Sequence, residues 1–539
     1  MIDISNLRIP LAKLDGTHEC ELRECRRASA RKLSIREGRV RSVELRRRSI
    51  DARKRSSIFV ICTVRLAVAG DETEIVRSAR GNTRIVTEKP YELPGRIPSE
   101  GYTRPVVVGA GCAGLFCALA LASAGLKPLL VERGDDADRR TATVETFNRT
   151  GILGPESNIQ FGLGGAGTFS DGKLTTGTKS QAHRLILETL AEAGAQRRIL
   201  WDAKPHVGSD VLPGVVTAVA RRIAELGGEV RFRTRMSGLH VSDGEIRAVT
   251  LSDALGEERI KARDVILACG HSARDVFSLA REAGVAMERK TFAMGVRIEH
   301  SQKAIDRALF GRNAGHPALG AGSYKLAEHV TKERRAFSFC MCPGGFVVAA
   351  ASEPEGVVTN GMSLSDRAGT NANSGFLANV FPEDLPGDDV LAGVELQRSC
   401  ERAAFAAGGG GYVAPAQLVG DFLQGVASSA GGSIEPTYPR GVAWGDVSGC
   451  LPDYVSETLR GAIPKMDRQL HGFNTADAVL TGVETRSSSP VRVTRGKDCQ
   501  SVSTAGLWPC GEGAGYAGGI MSAAADGLRV ATALVESLG

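Results

Sequence analysis

Three glycines open the chemistry of this chain. Gly109, Gly111 and Gly114 take G-x-G-x-x-G spacing directly after the apolar run Val106 to Val108, and an uncharged stretch follows them. The first permits a tight turn, the second lets backbone N–H groups approach a pyrophosphate without a Cβ in the way, and the third lets a helix pack close on a strand. The start of that helix, with free N–H groups and the positive end of its dipole, then faces negative charge. Leu129 to Val131 read as a second strand closed by Glu132, about twenty residues on, where a carboxylate accepts ribose hydroxyls. Together these residues predict a dinucleotide-binding unit. Val106 to Leu126 is uncharged and long enough to resemble a membrane span, but its glycines and the strand–turn–helix pattern place it in a buried core.

One fingerprint does not separate NAD from FAD, and a distant segment does. In LWPCGEGAGYAGGI (507 to 520), Glu512 lies in a glycine turn where a carboxylate can hold the ribityl hydroxyls of a flavin. A helix starting near Gly518 and Gly519 would aim N–H groups at the flavin pyrimidine and stabilise negative charge there. FGLGGAG (161 to 167) mimics a fingerprint, but it follows no apolar strand and reads better as a backbone cradle. With no second nucleotide unit, a nicotinamide donor, NAD(P)H, would have to visit the flavin transiently.

Four residues are candidates for the reaction itself. Cys342 precedes a Pro-Gly-Gly turn and, on a strand, shares a face with Cys340. A thiol there could donate a proton or act as a nucleophile, although free Cys is among the most buried side chains and C-x-C is only half a metal site. No metal is expected. Lys173 could pair with phosphate or with the flavin N1–C2=O anion, or lie on the surface. His271 follows the strand-like VILACG (265 to 270) and could contact flavin or substrate, or be an ordinary hydrogen-bonded histidine. Arg297 and Glu299 share a face by period two, so Arg297 either recognises a substrate carboxylate or bridges Glu299. Cys112 and Cys117, five apart on a helix, point to different faces and do not form a redox pair.

At 539 residues the chain needs two or three domains. Its 42% hydrophobic and 24% charged residues are those of a soluble globular protein. Twelve cysteines without a disulfide-framework pattern, and an N-terminus without a signal-peptide pattern, lead us to expect a cytoplasmic protein. Residues 1 to 100 carry 22 basic and 14 acidic side chains, densest in RRRSIDARKR (46 to 55). Without interleaved aromatics or zinc spacing this reads as a solvated face, arguing against a nucleic-acid partner. Residues 1–98 form a small basic α+β domain ending in the Pro-rich link EKPYELPGRIP. The nucleotide unit runs over 103–284, taking in an added strand and a β-meander. Residues 285–495, with their glycine-rich loops, read as an inserted α+β substrate domain. Residues 496–539 return to complete the first fold.

The chain resembles the FAD-dependent dehydrogenase-like proteins of the glutathione-reductase-type flavoprotein superfamily. NIQFGLGGAGTFSDGKLTT (158 to 176), AKPHVGSDVL (203 to 212), VILACGHSARDVF (265 to 277), FAMGVRIEH (292 to 300), FSFCMCPGG (337 to 345), VVTNGMS (357 to 363), TGVETRSSSPVR (481 to 492) and the C-terminal segment carry the likeness, over most of residues 45 to 539. Leu163 stands where the pattern has an acid and Cys269 where it has Thr. The resemblance implies an α/β protein: a Rossmann-like FAD-binding domain, an inserted α+β substrate domain over the isoalloxazine and a small N-terminal α+β domain. Motifs and resemblance together place FAD against Gly109, Gly111, Ala113, Gly114, Glu132 and Arg133. They also place it against Gly164, Gly165, Thr168, Asp171, Gly172 and Lys173, then Ala268, Cys269 and Gly270, and finally Gly511, Glu512, Gly518, Gly519, Ile520 and Met521. The expected activity is hydride exchange between flavin N5 and a small organic substrate, with a flavin monooxygenase and a nucleic-acid-modifying flavoprotein as alternatives.

Overall fold

In the computed structural model, residues 1–79, 81–87, 90–95 and 102–538 are described. Val106–Val108 is the central strand of a five-stranded parallel sheet in the order Leu507–Pro509, Val265–Leu267, Val106–Val108, Leu129–Val131, Glu229–Arg231. Four of these strands are buried throughout, which is why they read as short unbroken apolar runs and not as alternation. Leu507–Pro509 arrives from the far end of the chain and pairs in parallel with Val265–Leu267, so the C-terminal segment closes the sheet.

The uncharged run becomes the helix Cys112–Ser123, buried on nearly all sides. It packs against the C-terminal helix Ile520–Glu536, and the two approach so closely at Gly527 that an added Cβ would lie 2.2 Å from the Ala113 carbonyl oxygen. No helix among the described residues is long and apolar enough to cross a membrane. The expected meander is the three-stranded sheet Arg235–Ser242, Glu245–Asp253 and Gly256–Lys261.

The middle of the chain builds a seven-stranded sheet around Phe292–Ser301, flanked by Asn371–Val380 and Val479–Glu484. Arg335–Cys342 pairs with Asn371–Val380 until Phe339 stands opposite Gly375 and Cys342 opposite Asn373. Three steps on one strand meet two on the other, so one extra residue bulges out and Cys340 takes a φ of +41°. The bulge breaks the period-two alternation on which the common face of Cys340 and Cys342 rested.

The N-terminal sheet has the order Val40–Asp51, Phe59–Val68, Ile2–Pro10, Thr83–Ile85, covered by the helix His18–Lys32. Its core also takes in Phe310, Ala318 and Leu319. Arg48, from the basic cluster, donates its backbone N–H to the Trp201 carbonyl at 2.6 Å and its side chain to Glu21 and the Ala318 carbonyl. In the Pro-rich link, residues 88, 89 and 96–101 lie outside the described residues, and the expected boundary at 98 falls among them.

Candidate active site

A cavity of about 590 Å³ runs from the glycine turn of the parallel sheet to the bulged strand of the large sheet. At its first end Gly109 has a φ of +100°, and an added Cβ there would lie 2.5 Å from the Ala268 carbonyl oxygen. The first intrahelical bond of Cys112–Ser123 is made by Leu115 N–H to Gly111, so the N–H groups before it are free to meet an anion. Gly111 also touches the second glycine loop, where Gly164 donates to the Ala110 carbonyl. Across the cavity, Cβ atoms added at Gly270, Gly518 and Gly519 would meet no protein atom within 4 Å. These backbones front open space, a cradle that suits a long, flat, anionic cofactor such as FAD.

Glu132 is 5% exposed and lines this end. Its carboxylate accepts N–H bonds from Ala110 at 2.8 Å and from Gly134 and Gly162 at 2.9 Å. Three of about four acceptor positions are thereby filled by backbone. Glu132 is thus first a clamp joining the glycine turn to the second loop, with limited capacity left for a ribose. The fully buried Arg140 organises that second loop, its guanidinium donating to the carbonyls of Asn158, Ile159, Gly162, Leu163 and Gly165. No spacing in the sequence signals that role.

At the other end the thiol facing the cavity belongs to Cys340, while Cys342 is fully buried behind it. The Cys342 thiol donates to the Cys340 carbonyl oxygen at 3.1 Å. The neighbouring Cys342 thiol, helped by Lys173 and Arg297 against the effect of burial, holds the Cys340 thiol below its ordinary range. Burial pushes Cys342 far up. Arg297 is 0% exposed and pairs with Glu484 at 2.5 Å, and it donates to the Cys340 carbonyl and to Asn360. Glu484 lines the cavity, and burial, opposed by Arg297, pushes its carboxyl up to about 7. Burial likewise pushes Glu512 up to about 7 against the pull of Lys290. Lys173, Lys204, Lys325 and Arg367 supply cationic wall, and Lys204 donates to Ser323 at 3.0 Å with no acidic partner among the described residues. His271 is pushed down to about 3, first by burial and then by Arg486 and Arg274, so it is neutral. The Ser272 hydroxyl is committed to Gln160, so His271 Nδ1–H is the donor to Ser272 and Nε2 is a bare acceptor.

The expected cofactor residues divide between wall and support. Gly109, Gly111, Ala113, Glu132, Arg133, Gly164 and Gly165 reach the cavity, as do Lys173, Ala268, Cys269, Gly270, Glu512, Gly518, Gly519 and Ile520. Gly114 does not: it packs on the Gly109 carbonyl, as the third glycine of such a turn should. Thr168 turns its hydroxyl to the Leu163 carbonyl, and Asp171 is fully buried under a two-pronged bond from Arg367. Gly172 is hemmed in by Leu212 and Gly208, Gly511 abuts Ala113, and Met521 belongs to the core. Two catalytic expectations are corrected. Cys342 does not line the substrate face, because the bulge turns Cys340 there. Arg297 neither reaches the cavity nor bridges Glu299, whose carboxylate is held by Thr437 and Asn371. Leu163 is a core residue, and burial pushes the Cys269 thiol up to about 12. Glu484, Lys204 and Arg367 were missed, since they come from three distant segments.

Residues 103–311 match the pyridine nucleotide-disulphide oxidoreductase model, residues 291–487 the model of the FAD-dependent protein C-terminal domain, and residues 1–67 a domain of unknown function. Among solved structures, a geranylgeranyl bacteriochlorophyll reductase-like protein of Thermoplasma acidophilum aligns with TM-score 0.35 and 12% identity, over 81% of this chain and 78% of that one. The glycerol-3-phosphate dehydrogenase of Bacillus halodurans, complexed with FAD, aligns with TM-score 0.32 and 13% identity, over 82% and 66%. An uncharacterized protein of Clostridium beijerinckii is 42% identical over 536 residues, 99% of this chain and 98% of its own. On that identity across both chains this protein belongs to the family of the Clostridium protein, and its matched models make that family one of FAD-dependent oxidoreductases.

Proposed function

We propose that this protein is a dehydrogenase or reductase of the glutathione-reductase-type plan, moving hydride between flavin N5 and a small anionic organic molecule. One observation carries the reading: a single cavity joins the glycine cradle to a wall of Lys173, Lys204, Lys325 and Arg367, with Cys340 and Glu484 also on its lining. When bound, FAD supplies a two-electron centre at N5. The free N–H groups at the start of Cys112–Ser123 would hold its diphosphate, Glu512 its ribityl chain, and the N-terminus of Ile520–Glu536 the pyrimidine edge. Lys204, whose ammonium has no carboxylate partner among the described residues, together with Lys173, orients an anionic group of the substrate. Glu484, near 7, can hold or release the proton that accompanies hydride at neutral pH. The neutral His271 can accept a substrate hydrogen bond at Nε2.

Purified protein should be yellow, releasing about one FAD per chain on denaturation. Gly111→Val leaves the fold room, since the nearest atom to an added Cβ is 3.9 Å away, but fills the diphosphate side and should abolish flavin content with the melting temperature little changed. Small carboxylates and phosphates should bleach the flavin anaerobically where uncharged analogues do not, and Lys204→Gln should raise KM for them at least tenfold. Stoichiometric NAD in place of FAD would overturn the cofactor assignment. Equal bleaching by uncharged analogues would overturn the anionic substrate, and labelled oxygen in the product would replace hydride transfer by oxygen insertion.

A further inference from the structure

We propose that the N-terminal unit is a binding platform for single-stranded RNA, presented on the face of its sheet that carries no helix. Its elements run strand, helix, strand, strand, helix, strand: Ile2–Pro10, His18–Lys32, Val40–Asp51, Phe59–Val68, Glu72–Ser78 and Thr83–Ile85. All pairings in the sheet are antiparallel. Alternation along Phe59–Val68 sends Val60, Cys62, Val64 and Leu66 into the core under the helices. It sends Phe59, Ile61, Thr63 and Ala67 to the opposite face, where they stay half-buried. The contacts that tie the unit to the rest of the chain, at Phe310, Ala318, Leu319 and Trp201, run through the helix side and the outer strand.

Strand register gathers positive charge on that second face. Within the basic stretch 46 to 55, Arg48 turns to the helix side and pairs with Glu21, whereas Arg47 stands opposite Thr63 and is exposed. Arg8 stands opposite Ile61, and Arg65 and Arg84 flank Asp3. Arg46 pairs with Glu44, and Arg53 holds Asp51 opposite Phe59. These arginines outnumber Asp3, Glu44 and Asp51, which leaves the face a positive surplus toward phosphate. The basic stretch contains no aromatic residue, but the neighbouring strand sets the Phe59 ring beside it. The Arg8 guanidinium lies 4.3 Å from that ring's centroid, with its side chain 55% exposed. Unpaired bases stack on rings and on guanidinium planes, so a base laid here extends a stack the protein has begun. A duplex hides its bases from such a platform. The hydroxyls of Ser49 and Thr63, on strands adjacent to the ring and to Arg47, are placed to meet ribose 2′-hydroxyls, which DNA lacks.

Full-length holoenzyme is titrated into a short, unstructured, fluorescein-labelled RNA of mixed sequence and followed by fluorescence anisotropy over a range of salt. The matching DNA strand, an RNA duplex and polyglutamate serve as competitors. RNA should bind at low salt, and log affinity should fall with log salt by about 0.7 for each phosphate contacted. Phe59→Leu keeps an apolar side chain in place and should weaken RNA binding about tenfold with melting temperature and flavin content unchanged. Arg47→Gln should lower the salt slope by about 0.7. Arg221→Gln, exposed on the helix Leu212–Glu225, should change neither affinity nor slope. A folded wild type that does not bind RNA, or a Phe59→Leu variant that binds it as wild type does, overturns the platform. Displacement by duplex or polyglutamate as readily as by RNA would make the face a general anion surface, and equal affinity for DNA would remove the ribose contacts; either overturns the RNA assignment. Equal loss in Arg221→Gln and Arg47→Gln would move the binding off this face and overturn it as well. Flavin content and RNA binding are read on one sample, so the failure of either leaves the other standing.

Discussion

At the scale of single residues, reactivity is decided by which of two neighbouring thiols meets the cavity. Cys340 keeps a backbone conformation costly for a residue with a Cβ, on the order of 1–3 kcal/mol. The surrounding sheet enforces it through the bulge and the Arg297 bond. An ordinary thiol is mostly protonated at neutral pH; Cys342, Lys173 and Arg297 hold the Cys340 thiol below that range and so favour its thiolate. Since thiolate is the reactive form, alkylation of Cys340 by iodoacetamide should rise with pH and level off at a lower pH than an ordinary free thiol does. Lys173→Met removes a stabilising cation and should move the bend upward. A profile that climbs only toward pH 8 to 9, as for a free thiol, would remove the thiolate from the site.

At the scale of elements, the cofactor cradle depends on two helices meeting at a glycine. Gly527 of Ile520–Glu536 crosses Cys112–Ser123 with no room for a side chain. Both helix starts front the cavity, so a shift at the crossing moves the N–H groups at both ends of the cradle. Gly527→Val should cost about 1–3 kcal/mol by overpacking, seen as a lower melting temperature, and should lower FAD content in the protein that still folds. Normal flavin occupancy in a destabilised variant would show that the crossing supports the fold but not the cradle.

At the scale of the molecule, the N-terminal unit is bound into the rest. Phe310, Ala318 and Leu319 complete its core, and Arg48 of its longest strand exchanges backbone bonds with the segment Trp201 to Ala203, next to the cavity residue Lys204. Removing residues 1–95 would expose Phe310 and Leu319, at about 1.5–3 kcal/mol each, and free the segment that carries Lys204. The truncated chain should aggregate or melt markedly lower, and any soluble fraction should bind FAD with weakened substrate affinity. A truncation with unchanged stability and KM would show the unit to be an independent appendage.

The nucleotide unit, the returning C-terminal strand and the glycine cradle were legible in the sequence because local rules govern them. A tight turn needs glycine, a buried parallel strand needs an unbroken apolar run, and a helix start binds an anion within its own first turn. Gly109, Gly111, Glu132 and Gly519 could therefore be picked out by spacing alone. The reacting end was not legible, because its residues meet only through long-range packing. Glu484 stands opposite Gly295 across a sheet, Lys204 and Arg367 come from loops far apart in the chain, and the carbonyl-binding role of Arg140 exists only once residues 158–165 are folded around it. Cys340 and Cys342 show the division most sharply. Strict alternation put both thiols on one face, and a single extra residue in the ladder, fixed by the register of the neighbouring strand, turned one into the cavity and sealed the other behind it.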